Sequence, residues 1–241
     1  MIENVWPVVE LRQYALRPGT RDTMIDLFDR ELVETQEAVG MRVVGQFRDE
    51  DDPDRFVWMR AFPDMAARSA ALTAFYVDGQ AWRTHAPAAR ATMVDTTNAL
   101  LLQPVSAQGA LRIQSARPGV DATDPPSSRL LATIFYLDTP PEEFAPFFNE
   151  RIRRALLLTG GTLTGLYVTD PTPNTFTALP VREERAVVVF SLFESAAWRE
   201  AHLRALAEPT WTERVLPELG KWVSRPIERL RLAPTARSLL R

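Results

Sequence analysis

One order of elements is written twice along this chain, and that repetition limits the available folds more than any other feature. In VVELRQYALRPG (8–19) residues alternate as a strand, and Pro18-Gly19-Thr20 opens a helix. That helix carries Met24, Leu27, Phe28, Leu32 and Val39 at helical spacing until Gly40 stops it. MRVVGQF (41–47) and RFVWMRAF (55–62) read as strands around the polar turn RDEDDPD. Asp64 caps a helix to about Tyr76. A further helical stretch after Trp82 is interrupted by Pro87, and ALLLQPV (99–105) closes as a strand. The second pass opens with RLLATIFYL (129–137) and a helix from Thr139-Pro140-Pro141-Glu142, which has the form of a capping box. Strands TLTGLYV (162–168) and RAVVVFSLF (185–193), helices from Ser195 and around Trp211, and IERLRLAP (227–234) follow. Trp82 is matched by Trp211, Pro87 by Pro217, and LLLQP by LRLAP.

Each pass reads β-α-β-β-α-β, the ferredoxin-like unit, in which one sheet face packs on helices and the other is left bare. Two units in one chain can bury both bare faces by closing on each other. The expected fold is therefore α+β: two tandem ferredoxin-like repeats, 1–105 and 129–241, in a dimeric α/β-barrel-type arrangement. The Ser-, Ala-, Gly- and Pro-rich stretch 106–128 is their linker.

Composition narrows the function. The net charge of −3, with no basic run, argues against nucleic acid as the main partner. The chain has no cysteine, which removes thiolate nucleophiles and zinc–thiolate sites. The opening MIENVWPVVELR lacks the pattern of a secretory signal, and no apolar run approaches the ~20 residues of a membrane span. The expectation is a cytoplasmic protein that partners neither membrane nor nucleic acid and is open to further self-association. There is no G-x-G-x-x-G, P-loop or G-x-S-x-G motif; TGGTLTG (159–165) follows a helix and reads as its stop.

The stretch V-E-L-R-x-Y-x-L-x-P-G (Val9 to Gly19) is joined by the glycine-bearing strand VVGQF and F-x-D-x-x-A-R (Phe62 to Arg68). With the tryptophan after it and the closing LLxP, these residues resemble the NIPSNAP family. The tail LRLAPTARSLLR (230–241) is similar to the end of bacterial members with two copies. The second half lacks the E-L-R-x-Y strand. The resemblance implies a dimeric α+β barrel and supplies no reaction.

Parity on the strands then nominates a site. Glu10, Arg12 and Tyr14 share one face of the first strand, and Trp58 and Arg60 share one face of the third, with Gln46 their neighbour on the second. If the aliphatic residues Val9, Leu11, Val57, Met59 and Ala61 pack on the helices, the polar set points into the barrel. There it would meet a nearly uncharged wall from the second half, including Phe135 and Tyr167. An apolar cavity with a few convergent polar groups is the usual form of a small-molecule pocket. Two arginines against one glutamate favour an anionic ligand such as a carboxylate or enolate.

The expected function is a small-molecule-binding barrel, read as a metal- and nucleotide-independent enzyme of bacterial metabolism: an oxygenase, isomerase or cyclase without cofactor. Glu10 or His85 would move a proton. Arg12 and Arg60 would hold the anion, and Tyr14, Gln46, Trp58, Phe135 and Tyr167 would shape the cavity. The alternative is a non-catalytic binding or scaffold protein whose polar cluster only fixes how the sheets pair. His85 and His202, the two histidines, lack carboxylates at metal-ligand spacing, so no metal site is expected. Some barrels of this architecture bind haem through a helix histidine, which keeps haem as a remote option for either.

Overall fold

In the computed structural model the described residues are 6–113 and 116–241. The first five residues of the predicted first unit and residues 114–115 of the predicted linker lie outside them.

The strands are β1 (Val8–Leu16), β2 (Arg42–Asp49), β3 (Arg55–Phe62), the short β4 (Met93–Asp95) and β5 (Ala99–Pro104), followed by β6 (Arg129–Tyr136), β7 (Thr162–Thr169), β8 (Ala186–Phe193) and β9 (Glu228–Pro234). They lie in the order β3-β2-β9-β6-β8-β7-β5-β1-β4, and β3 also pairs with β1. The eight long strands therefore close into one antiparallel barrel, with β4 an appendage on β1. The two halves of the chain join edge to edge at two seams. In one, β2 pairs with β9 from Phe47↔Pro234 to Asp49↔Leu232; in the other, β5 pairs with β7 from Leu102↔Thr169 to Pro104↔Tyr167. Closure leaves no free sheet edge among these eight strands.

Helices cover the outside. Over the first half lie α1 (Arg21–Leu27) and α2 (Val33–Glu37), joined through a π turn at Phe28–Leu32, then α3 (Met65–Tyr76) and α4 (Gln80–Thr92). Over the second lie α5 (Pro141–Phe147) and α6 (Arg154–Leu158), with a π turn at Phe148–Arg153, then α7 (Ala196–Ala205), α8 (Pro209–Thr212) and α9 (Leu216–Leu219). Asp64 caps α3 as expected, its carboxylate accepting from the Ala67 N–H at 2.7 Å. Two local expectations fail. The stretch around Pro87 stays one helix, because α4 begins at Gln80 and runs through it. At α5 Pro140 occupies the N-cap and no side chain caps the helix, so the capping box is not formed.

Three apolar layers result. The barrel interior contains Val9, Leu11, Val57, Met59 and Ala61 from the first half with Ala132, Ile134, Tyr136, Val188 and Leu232 from the second. A second layer lies between the first half of the sheet and α1–α4 and includes Tyr14, Phe28, Phe56, Trp58, Phe62, Leu72 and Phe75. A third, with Phe135, Phe144, Phe148, Ile152 and Trp211, lies under the second set of helices.

This assignment reverses the expected faces. The strand alternation is as read, but Val9, Leu11, Val57, Met59 and Ala61 fill the barrel. Glu10, Arg12, Tyr14, Trp58 and Arg60 turn outward beneath the helices. The reason is volume. An eight-stranded barrel is just wide enough for its own inward side chains, so medium aliphatics suit it. Tryptophan and arginine need the deeper gap between sheet and helix. Even inside the barrel space is short: a side chain at Gly45 would collide with the Phe47 ring.

Candidate functional site beneath the first set of helices

The outward face of β1 and β3 carries one carboxylate and two guanidinium groups, and α3 adds a third. Glu10 lies opposite Arg60 across the β1–β3 pair, and Arg12 lies opposite Trp58. Arg60 Nε donates to Glu10 Oε2 at 2.8 Å, and Arg12 donates to the same oxygen at 3.1 Å. From above, Arg68 in the first turns of α3 donates through Nε to Glu10 Oε1 at 2.7 Å. All four side chains are fully buried. Helix residues complete the shell of Arg60, whose terminal nitrogen donates to the Tyr76 hydroxyl at 3.0 Å and to Gln36 Oε1 at 3.3 Å. Its guanidinium also lies over the rings of Trp58, Tyr76 and Phe62 at 4.9, 5.5 and 5.7 Å.

The electrostatics follow from burial. Desolvation alone would raise the Glu10 pKa, but Arg60, Arg12 and Arg68 outweigh it and hold the carboxyl at about 2. For Arg60, burial works against the charged form, and the Glu10 carboxylate more than restores it. Tyr76 is pushed up, by burial first, and keeps its proton. Glu10 is thus held as the anion at neutral pH, with both oxygens occupied. That suits a residue that positions guanidinium groups better than one that carries a proton.

Donors exceed acceptors here. Three arginines bring about fifteen N–H donors to a carboxylate with about four lone-pair sites. Among the described residues the buried Trp58 Nε1 and Arg12 Nε have no hydrogen-bond partner. Three cations face one anion, and the other side chains on them (Gln36, Tyr76, Asn174) are neutral. Positive charge therefore exceeds negative charge in the cluster, and the Tyr14 and Trp58 rings meet edge to face beside it at 5.7 Å.

The roof comes from the other half. The loop between β7 and β8 (170–185) crosses onto the first half. The Asp170 and Arg182 N–H groups donate to the carbonyls of Leu101 and Ala99, both at 2.8 Å. Phe176, Leu179 and Val181 pack on the first helix layer, and Phe176 lies 6.2 Å from the Tyr76 ring. Arg68 donates to Asn174 Oδ1 at 3.1 Å.

Of the residues nominated from sequence, Glu10, Arg12, Tyr14, Trp58 and Arg60 come together. The others do not. Gln46 is buried but donates to Asp29 Oδ1 at 2.9 Å, near the C-terminal segment. Phe135 lies under the second set of helices against Phe144 and Phe148. Tyr167 lies inside the barrel, its hydroxyl accepting from the Leu111 N–H. The expected pocket with one charged and one apolar wall is therefore not formed, because the two walls face different helix layers. His85 is half-buried on α4 and faces Glu31 at 3.4 Å, with no contact to Glu10. His202 is buried against Phe193, its Nδ1 2.8 Å from the Thr159 hydroxyl, as expected of a structural histidine with a partner. Sequence reasoning missed Arg68, Gln36, Tyr76 and Asn174. Arg68 had a signal, since it ends the F-x-D-x-x-A-R segment in the first turns of a helix whose start was legible. Asn174 had none, because only tertiary folding brings it to Arg68.

Fold and site define a closed eight-stranded antiparallel α/β barrel with a buried arginine cluster under one of its two helix layers. Residues 9–108, the greater part of the first half, match the family model for NIPSNAP. The whole barrel is similar to several solved structures. An anthrone oxidase-like protein superposes with a TM-score of 0.61 at 9% identity, over 95% of this chain and 92% of its own. A candidate monooxygenase from Lactobacillus acidophilus gives 0.56 at 10% identity, covering 95% and 93%. Another from Fusobacterium nucleatum gives 0.55 at 11% identity, covering 96% and 93%. At these identities the likeness is one of fold. A search of curated protein sequences finds no match. Among the described residues no helix is long and apolar enough to cross a membrane, and no group of three or more His, Asp or Glu side chains is placed to hold a metal ion.

Proposed function

We propose that the chain binds an anionic or enolisable small molecule in the layer between β1–β3 and α1–α4, and that it acts on that molecule without metal or nucleotide. The observation that carries this reading is the imbalance of three buried arginines on one glutamate, with Trp58 Nε1 and Arg12 Nε lacking acceptors. Buried positive charge without a counter-ion is costly, and an incoming carboxylate or enolate oxygen would relieve it. Arg12, Arg60 and Arg68 hold the oxyanion, Tyr14 and Trp58 stack on an aromatic body, and Glu10 keeps the guanidinium groups in place. His85, at the edge of the layer, is the remaining candidate for moving a proton. Haem is left out: His85 is paired with Glu31, and His202 is packed between Phe193 and Thr159.

The fold neighbours suggest the reaction class to test first. Three carry oxidase or monooxygenase names, so an enolisable aromatic ketone of the anthrone type, oxidised by dioxygen, is the leading substrate class. The element order shared by β1–β5 and β6–β9 supports descent of the halves from one duplicated ferredoxin-like unit, with 106–128 as the joint. Cytoplasmic residence, and self-association of the barrel, remain part of the proposal.

The second reading is a non-catalytic protein with a structural cluster. Its support is that both Glu10 oxygens are occupied and the four charged side chains are fully buried. Calorimetric titration with 2-naphthoate, and oxygen uptake with anthrone, separate the two. Binding or turnover that falls at least tenfold in Arg12→Ala and Arg60→Ala supports the site. Binding unchanged in both variants, or absent from the wild type for both probes, leaves the structural reading.

A further inference from the structure

The 170–185 loop offers Arg68 an acceptor of the same kind that a ligand would bring. Both ends of the loop are tied to β5 through backbone bonds to Leu101 and Ala99. Its middle folds on itself: Asn174 Nδ2 donates to the Leu179 carbonyl, and the Phe176 N–H donates to Asn174 Oδ1. Beyond the apolar contacts of Phe176, Leu179 and Val181, this middle meets the cluster through the hydrogen bond from Arg68 to Asn174 Oδ1 at 3.1 Å. Asn174 is half-buried while its neighbours Asn-flanking Pro173 and Thr175 are exposed, so this one side chain reaches inward.

We propose that Asn174 stands in for a ligand's oxygen on Arg68, so that the loop closes over the cluster and an anion entering it displaces Asn174. The proposal rests on the anionic-ligand reading above and adds how the site is gated. The amide oxygen is neutral, whereas a carboxylate or enolate forms charge-assisted bonds to guanidinium that are roughly twice as strong. Ligand and Asn174 compete for the same Arg68 N–H. Weakening the loop contact therefore strengthens ligand binding, by at most the factor with which that contact holds the loop closed. Phe176 and Leu179, whose packing on the layer needs no hydrogen bond, let the loop swing without unfolding the barrel seam.

Calorimetry with 2-naphthoate on three variants tests this, each first checked for a cooperative thermal transition. Asn174→Ala is expected to bind about tenfold more tightly than wild type, the worth of one hydrogen bond to a charged group. Asn174→Asp, which tethers an anion on Arg68, is expected to bind at least tenfold more weakly. Arg68→Gln is expected to lose binding. Hydrogen exchange gives an independent readout: the amides of Phe176 and Leu179 should exchange faster when 2-naphthoate is bound. Slower exchange on binding, or weaker binding in Asn174→Ala, would show that the loop clamps the ligand and overturns the proposal. Binding that Arg60→Ala abolishes, while both Asn174 changes leave it untouched, overturns the gate alone. No binding to wild type or to Asn174→Ala overturns the anionic-ligand reading, and the gate with it.

Discussion

The two helix–sheet layers occupy corresponding places on the barrel and hold opposite chemistry. In the first, Glu10 faces Arg60, Arg12 faces Trp58 and Tyr14 faces Phe56. In the second, Leu131 faces Ser191, Thr133 faces Val189 and Phe135 faces Val187. Arg68 and Arg199 end the corresponding segments FPDMAAR and FESAAWR, and both are buried. Arg68 turns to Glu10. Arg199, with no glutamate on β6 or β8, reaches Glu50 of the first half and Glu200 instead. One arginine joins the charged cluster, and the other ties a seam together with Arg231, which pairs with Asp51 and Glu200. The second layer closes with no buried charged side chain on the facing strands β6 and β8, although Arg199 and His202 are buried on its helices. The charged cluster is therefore not what the fold requires, in keeping with the weak stabilising power of buried ion networks.

The largest expected effect breaks the first layer and leaves the second intact. Glu10→Gln strands three buried guanidinium groups and should cost about 3–5 kcal/mol in urea denaturation. Replacing the whole cluster with residues of the second layer's kind (Glu10→Leu, Arg12→Thr, Arg60→Ser, with Arg68→Met) should restore most of that loss. Should the fourfold variant prove less stable than Glu10→Gln alone, the layers are not interchangeable and the comparison fails.

Acid provides a second test. The Glu10 pKa is about 2 in the folded chain against 4.5 ordinarily, so its contribution is complete above about pH 4.5 and lost as pH falls toward 2. The loss is about 3 kcal/mol, and Glu10→Gln should lack that limb of the stability profile.

A smaller pH effect belongs to the second layer. Burial, its first cause, lowers the His202 pKa below 6.5, so folding favours the neutral ring. Stability from this group is present above pH 6.5 and falls as the solution is acidified, because the unfolded chain binds the proton more readily. His202→Gln should flatten the profile between about pH 7 and 5.

The caps differ least. Asp64→Ala should cost about 1 kcal/mol. Ser195→Ala should cost less, about 0.5 kcal/mol, since its hydroxyl accepts from the Trp198 N–H at a longer 3.4 Å. Equal costs in thermal denaturation would show that cap geometry does not distinguish the halves.

Much of this was legible in the chain. Alternation marked the long strands, Asp64 and Ser195 announced their helices, and parity placed Glu10, Arg12, Tyr14, Trp58 and Arg60 on common faces. The π turns at Phe28 and Phe148 left no trace, because their apolar spacing is also that of an α-helix. The grouping of the site was right and its address was wrong. Alternation says which side chains share a face and is silent on what that face meets. Gln46 shows the limit clearly: it shares a face with Trp58, yet a sideways shift of one strand hands it to Asp29.

The order of elements and the company each strand residue keeps were thus determined by the sequence alone, since both follow from local backbone geometry. Which face turned inward was decided by the three-dimensional closure of eight strands, whose interior has room for valine, leucine and methionine but not for a tryptophan among three arginines. The roof was decided the same way. Arg68 and Asn174 stand far apart along the chain, and only the β5–β7 seam carries one over the other.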